Sequence, residues 1–295
     1  MKYALYPGCA AQGATPELYQ STRAIIGQLG IEVVELTSAP CCGAGVVTEA
    51  DPDMALVFNA RTFAQAEVLG LDVMTICGTC QGVMSAANRR LKTEPKTLAH
   101  INTLLAPDGL TYHGHVQVKH LLWIVVRDIG LTRLSALVSM PMRDFRIAPF
   151  YGCYILRPSW DLGFDDPENP QSLERVITAV GGEPVTYTGR TKCCGFPIIL
   201  EKEAIAVAMS GAHMKEAKGQ GADFMVTPCP LCHMSLDIYQ ERAGRAVSRE
   251  LDLPILHLPQ LLGLAMGLPA KSLGLSHHVI SVDSILARIN RDGSS

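Results

Sequence analysis

Asp72-Val-Met-Thr-Ile-Cys-Gly-Thr-Cys80 and Asp223-Phe-Met-Val-Thr-Pro-Cys-Pro-Leu-Cys232 are two versions of one segment, and they decide the fold. In each, a short apolar run typical of a buried strand leads directly into Cys-x-x-Cys. An adjacent cysteine pair followed by glycine stands earlier in each half, at Cys41-Cys42-Gly43 and Cys193-Cys194-Gly195, and 34 residues separate the pair from the Cys-x-x-Cys both times. The repeated spacing indicates a duplicated chain.

A fifth cysteine completes each set. Cys9 stands 31 residues before its pair, and Cys153 stands 39 residues before its own. The 10 cysteines therefore form a first group and a second group with none left over, and these are Cys9, Cys41, Cys42, Cys77 and Cys80, and Cys153, Cys193, Cys194, Cys229 and Cys232. Matched spacing of this length, found twice, predicts two equivalent metal centres.

Strand-like and helix-like segments alternate in both halves, which predicts right-handed crossovers and a parallel sheet. Each cysteine group follows the carboxyl ends of strands, and these ends collect at one edge of such a sheet. The sequence thus predicts an α/β fold of two pseudo-repeated βαβ-type domains, 1–144 and 145–295, each with a parallel sheet and a cysteine-lined rim. The expected strands are 2–6, 31–36, 72–76, 145–150, 184–187 and 223–227, with apolar helices at 116–126 and 259–266 and a last helix near 284–289.

Composition excludes several classes of protein. The 295 residues carry a formal net charge of -3, so no basic field attracts nucleic acid. Hydrophobic residues make up 48%, yet no apolar run reaches the roughly 18–20 residues of a membrane span. The amino terminus does not resemble an export signal, so we expect a cytoplasmic protein whose cysteines are metal ligands or redox groups rather than disulfides.

Five thiolates per half suit an iron–sulfur cluster better than zinc. A structural zinc ion takes four ligands, and adjacent cysteines rarely share one small ion because their side chains diverge. They can reach different irons of a cluster, for which four thiolates suffice, so the fifth indicates an opened cluster or a reactive thiol. Gly43 and Gly195 would let the backbone approach the cluster sulfurs and donate N–H groups. Zinc at one site and a thioredoxin-like dithiol are the alternatives.

The doubled pattern Cys-x31-Cys-Cys-Gly-x33-Cys-x-x-Cys resembles the catalytic B subunit of heterodisulfide reductases along the whole chain. Tyr6-Pro-Gly-Cys9, Thr227-Pro-Cys-Pro-Leu-Cys-His233 and His257-Leu-Pro-Gln-Leu-Leu262 extend the match beyond the cysteine spacing. The resemblance implies a noncubane [4Fe-4S] cluster in each half, held by all five cysteines of the group. All ten cysteines would then be both metal ligands and, through the clusters, catalytic.

The same resemblance implies an oxidoreductase that acts on sulfur groups. A disulfide would dock between the clusters, one sulfur would be captured by each, and two thiols would be released. Electrons would pass through a ferredoxin-like C subunit and a flavin-containing A subunit. Ile76-Cys-Gly-Thr-Cys-Gln-Gly82 and Ala148-Pro-Phe-Tyr-Gly-Cys153 are closest to the versions in sulfur-oxidising bacteria, which favours a protein-bound, lipoate-type sulfur substrate.

Several other functions stay open at this point. A methanogen-type reductase of the CoM-S-S-CoB heterodisulfide and the iron–sulfur subunit of a hydroxyacid oxidase belong to the same family. A non-catalytic electron relay is the alternative from another class. The fifth cysteine of each group favours catalysis, because a relay cluster needs only four ligands.

Other residues near the cysteines receive simpler interpretations. We expect His120, His233 and His257 to be structural residues at helix starts, and His277-His278 to be solvated. Arg157, Arg190 and Lys192 either bind anionic groups near the second cysteine group or are ordinary surface charges. The apolar segment 255–268 is expected to lie in the core.

Overall fold

The computed structural model of the protein describes residues 1–292, and residues 293–295 lie outside the described part. Its strands are β1 (Lys2–Tyr6), β2 (Glu32–Glu35), β3 (Val73–Thr75), β4 (Val118–His120), β5 (Arg146–Pro149), β6 (Glu183–Pro184), β7 (Phe224–Thr227) and β8 (Ile255–His257). They form two four-stranded sheets, ordered β2-β1-β3-β4 and β6-β5-β7-β8. All neighbouring strands in both sheets run parallel. The predicted α/β fold with two repeated parallel sheets is confirmed.

Helices connect the strands in both halves. In the first half they are α1 (Cys9–Gly13), α2 (Pro16–Ile26), α3 (Val46–Ala50), α4 (Pro52–Val68), α5 (Gly78–Thr93), α6 (Pro95–Leu105), α7 (Leu121–Trp123) and α8 (Leu131–Ala136), with a π-helical turn at Ile124–Ile129. In the second half they are α9 (Ser159–Leu162), α10 (Ser172–Ala179), α11 (Glu203–Gly219), α12 (Pro230–Asp237), α13 (Gln240–Ala246), α14 (Leu258–Ala265) and α15 (Asp283–Asp292). Within residues 1–292, no helix is both long and apolar enough to cross a membrane.

Two details of the sheets differ from the sequence prediction. The helix expected at 116–126 begins only at Leu121, because Val118–His120 pairs with β3 as an edge strand. Three residues are too few to show a strand period, so the pattern was assigned to the helix that follows. The strand expected at 184–187 is reduced to Glu183–Pro184, followed by one further bond from the Val185 N–H to the Ile147 carbonyl. Proline has no N–H for a ladder, which suits the edge position of β6.

The two halves share their hydrophobic core, because each of its two buried clusters contains residues from both halves. Helix α14 of the second half is buried along its whole length and packs against α2 of the first half. Leu29, Leu261 and Leu262 belong to the same buried cluster, each with 0% of its surface exposed. The apolar segment 255–268 therefore lies in the core as expected, and this core fixes one half against the other.

A second contact between the halves depends on a glycine. Gly82, in the middle of α5, lies so close to the second half that a Cβ there would be 2.5 Å from the Tyr154 carbonyl oxygen. Backbone cannot move aside as a flexible side chain can, so the position needs glycine although glycine weakens a helix interior. The close approach brings the start of α5, and with it Cys77 and Cys80, against the second half.

We expect Gly82→Ala to lower the free energy of unfolding by about 1–2 kcal/mol, because overpacking outweighs the gain in helix propensity. Gly219→Ala is the matched control, since it also lies in a helix but has nothing within 4 Å of the added Cβ. That variant should be neutral or slightly more stable. Denaturant unfolding of both variants checks the difference, and equal stabilities would show that the contact with Tyr154 does not constrain α5.

Candidate metal centres

The first cysteine group converges at the carboxyl edge of the first sheet. Cys9 begins α1 directly after β1, and Cys77 is the N-cap of α5 after β3. The Sγ atoms of Cys9 and Cys41 lie 3.6 Å apart, and those of Cys42 and Cys80 lie 3.4 Å apart. Cys41 and Cys42 are also hydrogen-bonded to each other, so their side chains do not diverge as the sequence predicted and the sulfurs of the group form a continuous line. All ten cysteines of the chain are free thiols.

The second cysteine group has the same arrangement at the second sheet. Cys153 is hydrogen-bonded to Cys193, and Cys194 is hydrogen-bonded to Cys232. Cys229 is the N-cap of α12 after β7, as Cys77 is of α5. The structure therefore brings together every cysteine that the sequence assigned to each group.

Hydrogen bonding lowers the pKa of the first cysteine of each adjacent pair. Hydrogen bonds from Cys42 and Cys9 lower the pKa of Cys41 to about 2. Hydrogen bonds from Cys153 and Cys194 lower the pKa of Cys193 to about 2 in the same way. Hydrogen bonds from Cys232 and Cys77 also lower the pKa of Cys229. The pKa values of the other seven thiols are raised, because neighbouring thiolates disfavour a further negative charge. Binding a metal at either group would therefore release protons.

Backbone N–H groups also point at these thiolates. The Gly43 N–H donates to Cys41 Sγ at 3.5 Å, and the Gly195 N–H donates to Cys193 Sγ at 3.4 Å. Both glycines have a positive φ, of 81° and 85°, which side chains rarely adopt. A Cβ on Gly195 would also lie 2.7 Å from the Ala206 carbonyl oxygen. The structure thus places both glycines beside cysteine sulfurs, and their contact with the sulfurs of a bound cluster stays a prediction.

Two further glycines leave room beside the Cys-x-x-Cys sulfurs. A Cβ on Gly8 would lie 3.4 Å from Cys80 Sγ, and one on Gly152 only 2.7 Å from Cys232 Sγ. Five converging thiols, N–H donors aimed at sulfur and a glycine-lined wall form a donor set that fits an iron–sulfur cluster in each half. The residues that would hold it are the five cysteines of each group.

The two groups touch each other across the boundary between the halves. Cys77 of the first group is hydrogen-bonded to Cys229 of the second. Thr79, inside the first Cys-x-x-Cys, places its Oγ1 3.3 Å from Cys229 Sγ. Sequence reasoning missed Thr79, because only the packing of the halves brings it to the other group.

A cavity of about 410 Å³ opens between the halves beside the second group. Its walls include four cysteines of that group, Cys153, Cys194, Cys229 and Cys232, together with Thr79. Most other lining residues are apolar, and at its mouth Val46 is 81% exposed and Leu200 is 94% exposed. Among the described residues that line it, the only charged side chains are Glu49 and Glu201. We call it the interdomain cavity.

The histidines behave as structural residues, with one exception to the expectation. His120 and His257 are buried at the starts of α7 and α14, and His233 Nε2 contacts the Ile255 carbonyl oxygen at 3.1 Å. The expectation that His278 is solvated was wrong. Its Nδ1 lies 3.3 Å from His233 Nε2, and burial lowers its pKa to about 4. A C-terminal segment folds back over α12, which no local pattern showed.

Arg157 and Arg190 are engaged with the loop at 163–171, which precedes α10, and with neighbouring groups rather than directed at the cysteines. Arg157 donates to the carbonyl oxygens of Thr191 and Pro167. Arg190 pairs with Glu174 at 2.9 Å and also donates to Asn169. Both guanidinium groups therefore hold the loop in place, which is a structural role.

Comparison with protein families places the cysteine groups in a known context. The family model described as CCG, cysteine-rich domain, matches the chain twice, over residues 3–85 and 147–237. Each match contains all five cysteines of one group. The two matches correspond to the two sheets.

Relatives match almost the entire chain. The membrane anchor subunit of the 8-methylmenaquinol:fumarate reductase of Wolinella succinogenes is 39% identical, over 96% of this chain and 99% of the relative. A heterodisulfide reductase B-subunit-like protein of Archaeoglobus profundus is 32% identical over 98% of both. The B subunit of the ferredoxin/F420H2-dependent CoB-CoM heterodisulfide reductase of Methanosarcina acetivorans is 30% identical, over 98% of this chain and 97% of the relative.

A solved structure supports the fold alone. The crystal structure of a hypothetical protein from Helicobacter pylori superimposes with a TM-score of 0.75 at 18% sequence identity. The match covers 95% of this chain and 52% of the other, so this chain spans about half of that longer protein.

Proposed function

Since the chain belongs to the heterodisulfide reductase B-subunit family of cysteine-rich-domain proteins, we propose that it is the catalytic subunit of a complex that interconverts a disulfide and thiols. The reaction would take place at two noncubane [4Fe-4S] clusters. Each would be held by one cysteine group, Cys9, Cys41, Cys42, Cys77 and Cys80, or Cys153, Cys193, Cys194, Cys229 and Cys232.

The continuous line of sulfurs in each group is the observation that carries this proposal. Cys41 interacts with Cys9 on one side and with Cys42 on the other, and Cys42 in turn lies beside Cys80. The second adjacent pair links Cys153 to Cys232 in the same way. A structural zinc ion takes only four ligands and would leave one of the five sulfurs unused. Five linked sulfurs suit a cluster with more than four ligand positions, which supports the noncubane form over zinc or a simple relay.

When bound, such clusters supply electrons one at a time and offer irons that can take a substrate sulfur. Reduction of a disulfide breaks one S–S bond and consumes two electrons and two protons to give two thiols; oxidation reverses each of these changes. The protein directs the substrate through the interdomain cavity, whose wall includes sulfurs of the second group and Thr79 from the first half. The apolar walls exclude water from the S–S bond.

The lining of the interdomain cavity favours an uncharged substrate. Glu49 and Glu201 would repel an anion, and no lysine or arginine among the described lining residues would attract one. A lipoate-type sulfur group in amide linkage is neutral and has an alkyl chain that matches the apolar walls. We therefore favour a protein-bound, lipoate-type substrate in sulfur oxidation over a strongly anionic disulfide such as the CoB–CoM heterodisulfide.

Electrons would reach the clusters through other subunits of the same complex. We propose a ferredoxin-like C subunit and a flavin-containing A subunit as these partners. The exposed Cys9 and Cys41 place the first group near the surface, where electron transfer from a partner over a short distance is feasible. The second group, beside the cavity, would be the one that meets the substrate first.

Iron analysis and a ligand titration of the anaerobically purified complex test this proposal. We expect about eight irons per chain and a paramagnetic signal of the oxidised clusters that changes when dihydrolipoamide is added. Mercaptoethanesulfonate, an anionic thiol of similar reactivity, is the matched comparison. It should need a concentration at least tenfold higher for the same change, because the cavity carries only negative charge.

The outcomes separate the parts of the proposal. About eight irons with no spectral response to any thiol would indicate a relay. An equal response to both thiols would refute the uncharged-substrate assignment alone. Zinc in place of iron would refute the clusters.

A second candidate follows from the relative in Wolinella succinogenes, which is 39% identical and belongs to an 8-methylmenaquinol:fumarate reductase. A largely apolar cavity with exposed Val46 and Leu200 at its mouth would also accept an uncharged quinol ring. The same titration with a short-chain menaquinol distinguishes the two, since only one of the two ligands should change the spectrum.

A further inference from the structure

The first half holds Cys229, a ligand residue of the second group, at three points. The Gly78 N–H donates to the Pro228 carbonyl oxygen at 3.1 Å, and His120 Nε2 contacts the same oxygen at 2.9 Å. His120 Nδ1 accepts from the Leu122 N–H, so the proton of the neutral imidazole lies on Nε2. The third contact is the hydroxyl of Thr79 on Cys229 Sγ, at 3.3 Å.

The second half does not make the equivalent three contacts with the first cysteine group. Where the first half has Gly78 and Thr79, the second has Pro230, which lacks an N–H, and Leu231, which lacks a hydroxyl. His257, which pairs with Thr227 as His120 pairs with Thr75, directs its Nε2 to Glu17 Oε1 at 3.1 Å instead. Two of the three equivalent residues differ, and the third, His257, has another partner, so the two cysteine groups have unequal surroundings.

We propose that Thr79 is a positioning residue that raises the reduction potential of the second cluster above the value it would have without this hydroxyl. The inference rests on the proposed function, because it takes Cys229 as a ligand of that cluster. A metal-bound thiolate has no proton, so the Thr79 hydroxyl must be the donor. A hydrogen bond to a ligand sulfur stabilises the more negative, reduced state and so favours reduction.

The buried position of Thr79 strengthens the effect of this hydrogen bond on the cluster. The residue is 8% exposed and Cys229 is 3% exposed, so water competes little with the hydroxyl. Gly78 and His120 fix the backbone just before Cys229, which holds the sulfur within reach. Because Thr79 also lines the interdomain cavity, the tuned cluster is the one beside the proposed substrate path.

Redox titration of Thr79→Val, followed by electron paramagnetic resonance, tests the inference. The variant keeps the shape of threonine but lacks the hydroxyl, and we expect the one-electron reduction equilibrium of one cluster to fall about tenfold, or about 59 mV. Thr79→Ser keeps a hydroxyl and should have a reduction potential close to the wild-type value. Thr79→Ala should have the same lowered potential as Thr79→Val. Thr22→Val is the control, because Thr22 is also buried but its hydroxyl donates to the Leu18 carbonyl oxygen and not to a cysteine.

Single-centre backgrounds assign the shift to one cluster. In a Cys9→Ala background, which retains the second cluster, Thr79→Val should still lower the reduction potential. In a Cys153→Ala background, which retains the first cluster, Thr79→Val should leave the potential unchanged. A shift that persists in Cys153→Ala, or potentials unchanged in Thr79→Val with full iron content, would overturn the inference and leave the proposed function intact. Wild-type protein without iron would instead refute the proposed function.

Discussion

Cys194→Ala should lose about half of the iron of the wild-type protein, about four of about eight atoms per chain, together with all thiol–disulfide activity. Cys194 is buried and interacts with both Cys193 and Cys232, so the substitution removes a sulfur from the inside of the group. The first group is built from other strands and should keep its own iron. Iron and sulfide analysis of anaerobic protein measures the loss directly.

Cys42→Ala is the mirror experiment in the other half. It removes the equivalent sulfur, which contacts Cys80, and should also leave about four irons. The paramagnetic signals of the two variants should together account for the wild-type spectrum. If either single change released all the iron, the ten cysteines would form one mutually dependent centre, contrary to one centre per half.

The sequence was sufficient to predict where the cysteines meet, because that prediction needs only the order of the elements. Strands that alternate with helices make a parallel sheet, and every residue just after a strand then lies at the same edge. Cys9, Cys77 and Cys229 follow β1, β3 and β7 in this way. Spacing alone thus assigns each cysteine to its group.

Contacts between the halves could not be predicted, because they depend on how two surfaces pack. The apposition of Thr79 and Cys229 joins positions 150 residues apart, and nothing local distinguishes Thr79 from a surface threonine. The interdomain cavity and the return of His278 onto His233 have the same origin. The short strand β4 was missed for another reason, since its three residues carry no readable period.

The unequal surroundings of the two cysteine groups suit the two different tasks that the proposed function requires. The first group has the exposed Cys9 and Cys41 at its outer side, whereas four cysteines of the second group line the interdomain cavity. The first half also contributes the Thr79 hydroxyl to the second group, whereas the equivalent residue of the second half, Leu231, has no hydroxyl. This asymmetry is what a subunit needs if one centre receives electrons and the other meets the substrate.

Gly152→Ala should empty the second centre while leaving the first intact. The added Cβ would lie 2.7 Å from Cys232 Sγ, closer than real side chains approach, so either the sulfur or the Cys153 loop must shift. The φ of 71° adds the cost of a left-handed conformation, roughly 1–2 kcal/mol for a residue with a side chain. We expect iron to fall to about four atoms per chain, with a lower melting temperature.

Gly163→Ala separates backbone strain from the clash with sulfur. Gly163 also has a positive φ, of 58°, but has nothing within 4 Å of an added Cβ. It should show the same small loss of stability with full iron content. Gly8→Ala, whose Cβ would lie 3.4 Å from Cys80 Sγ, should lose less iron than Gly152→Ala and lose it from the first centre. Full iron in Gly152→Ala would mean that the Cys232 sulfur has room to move, and that the glycine wall does not shape the site.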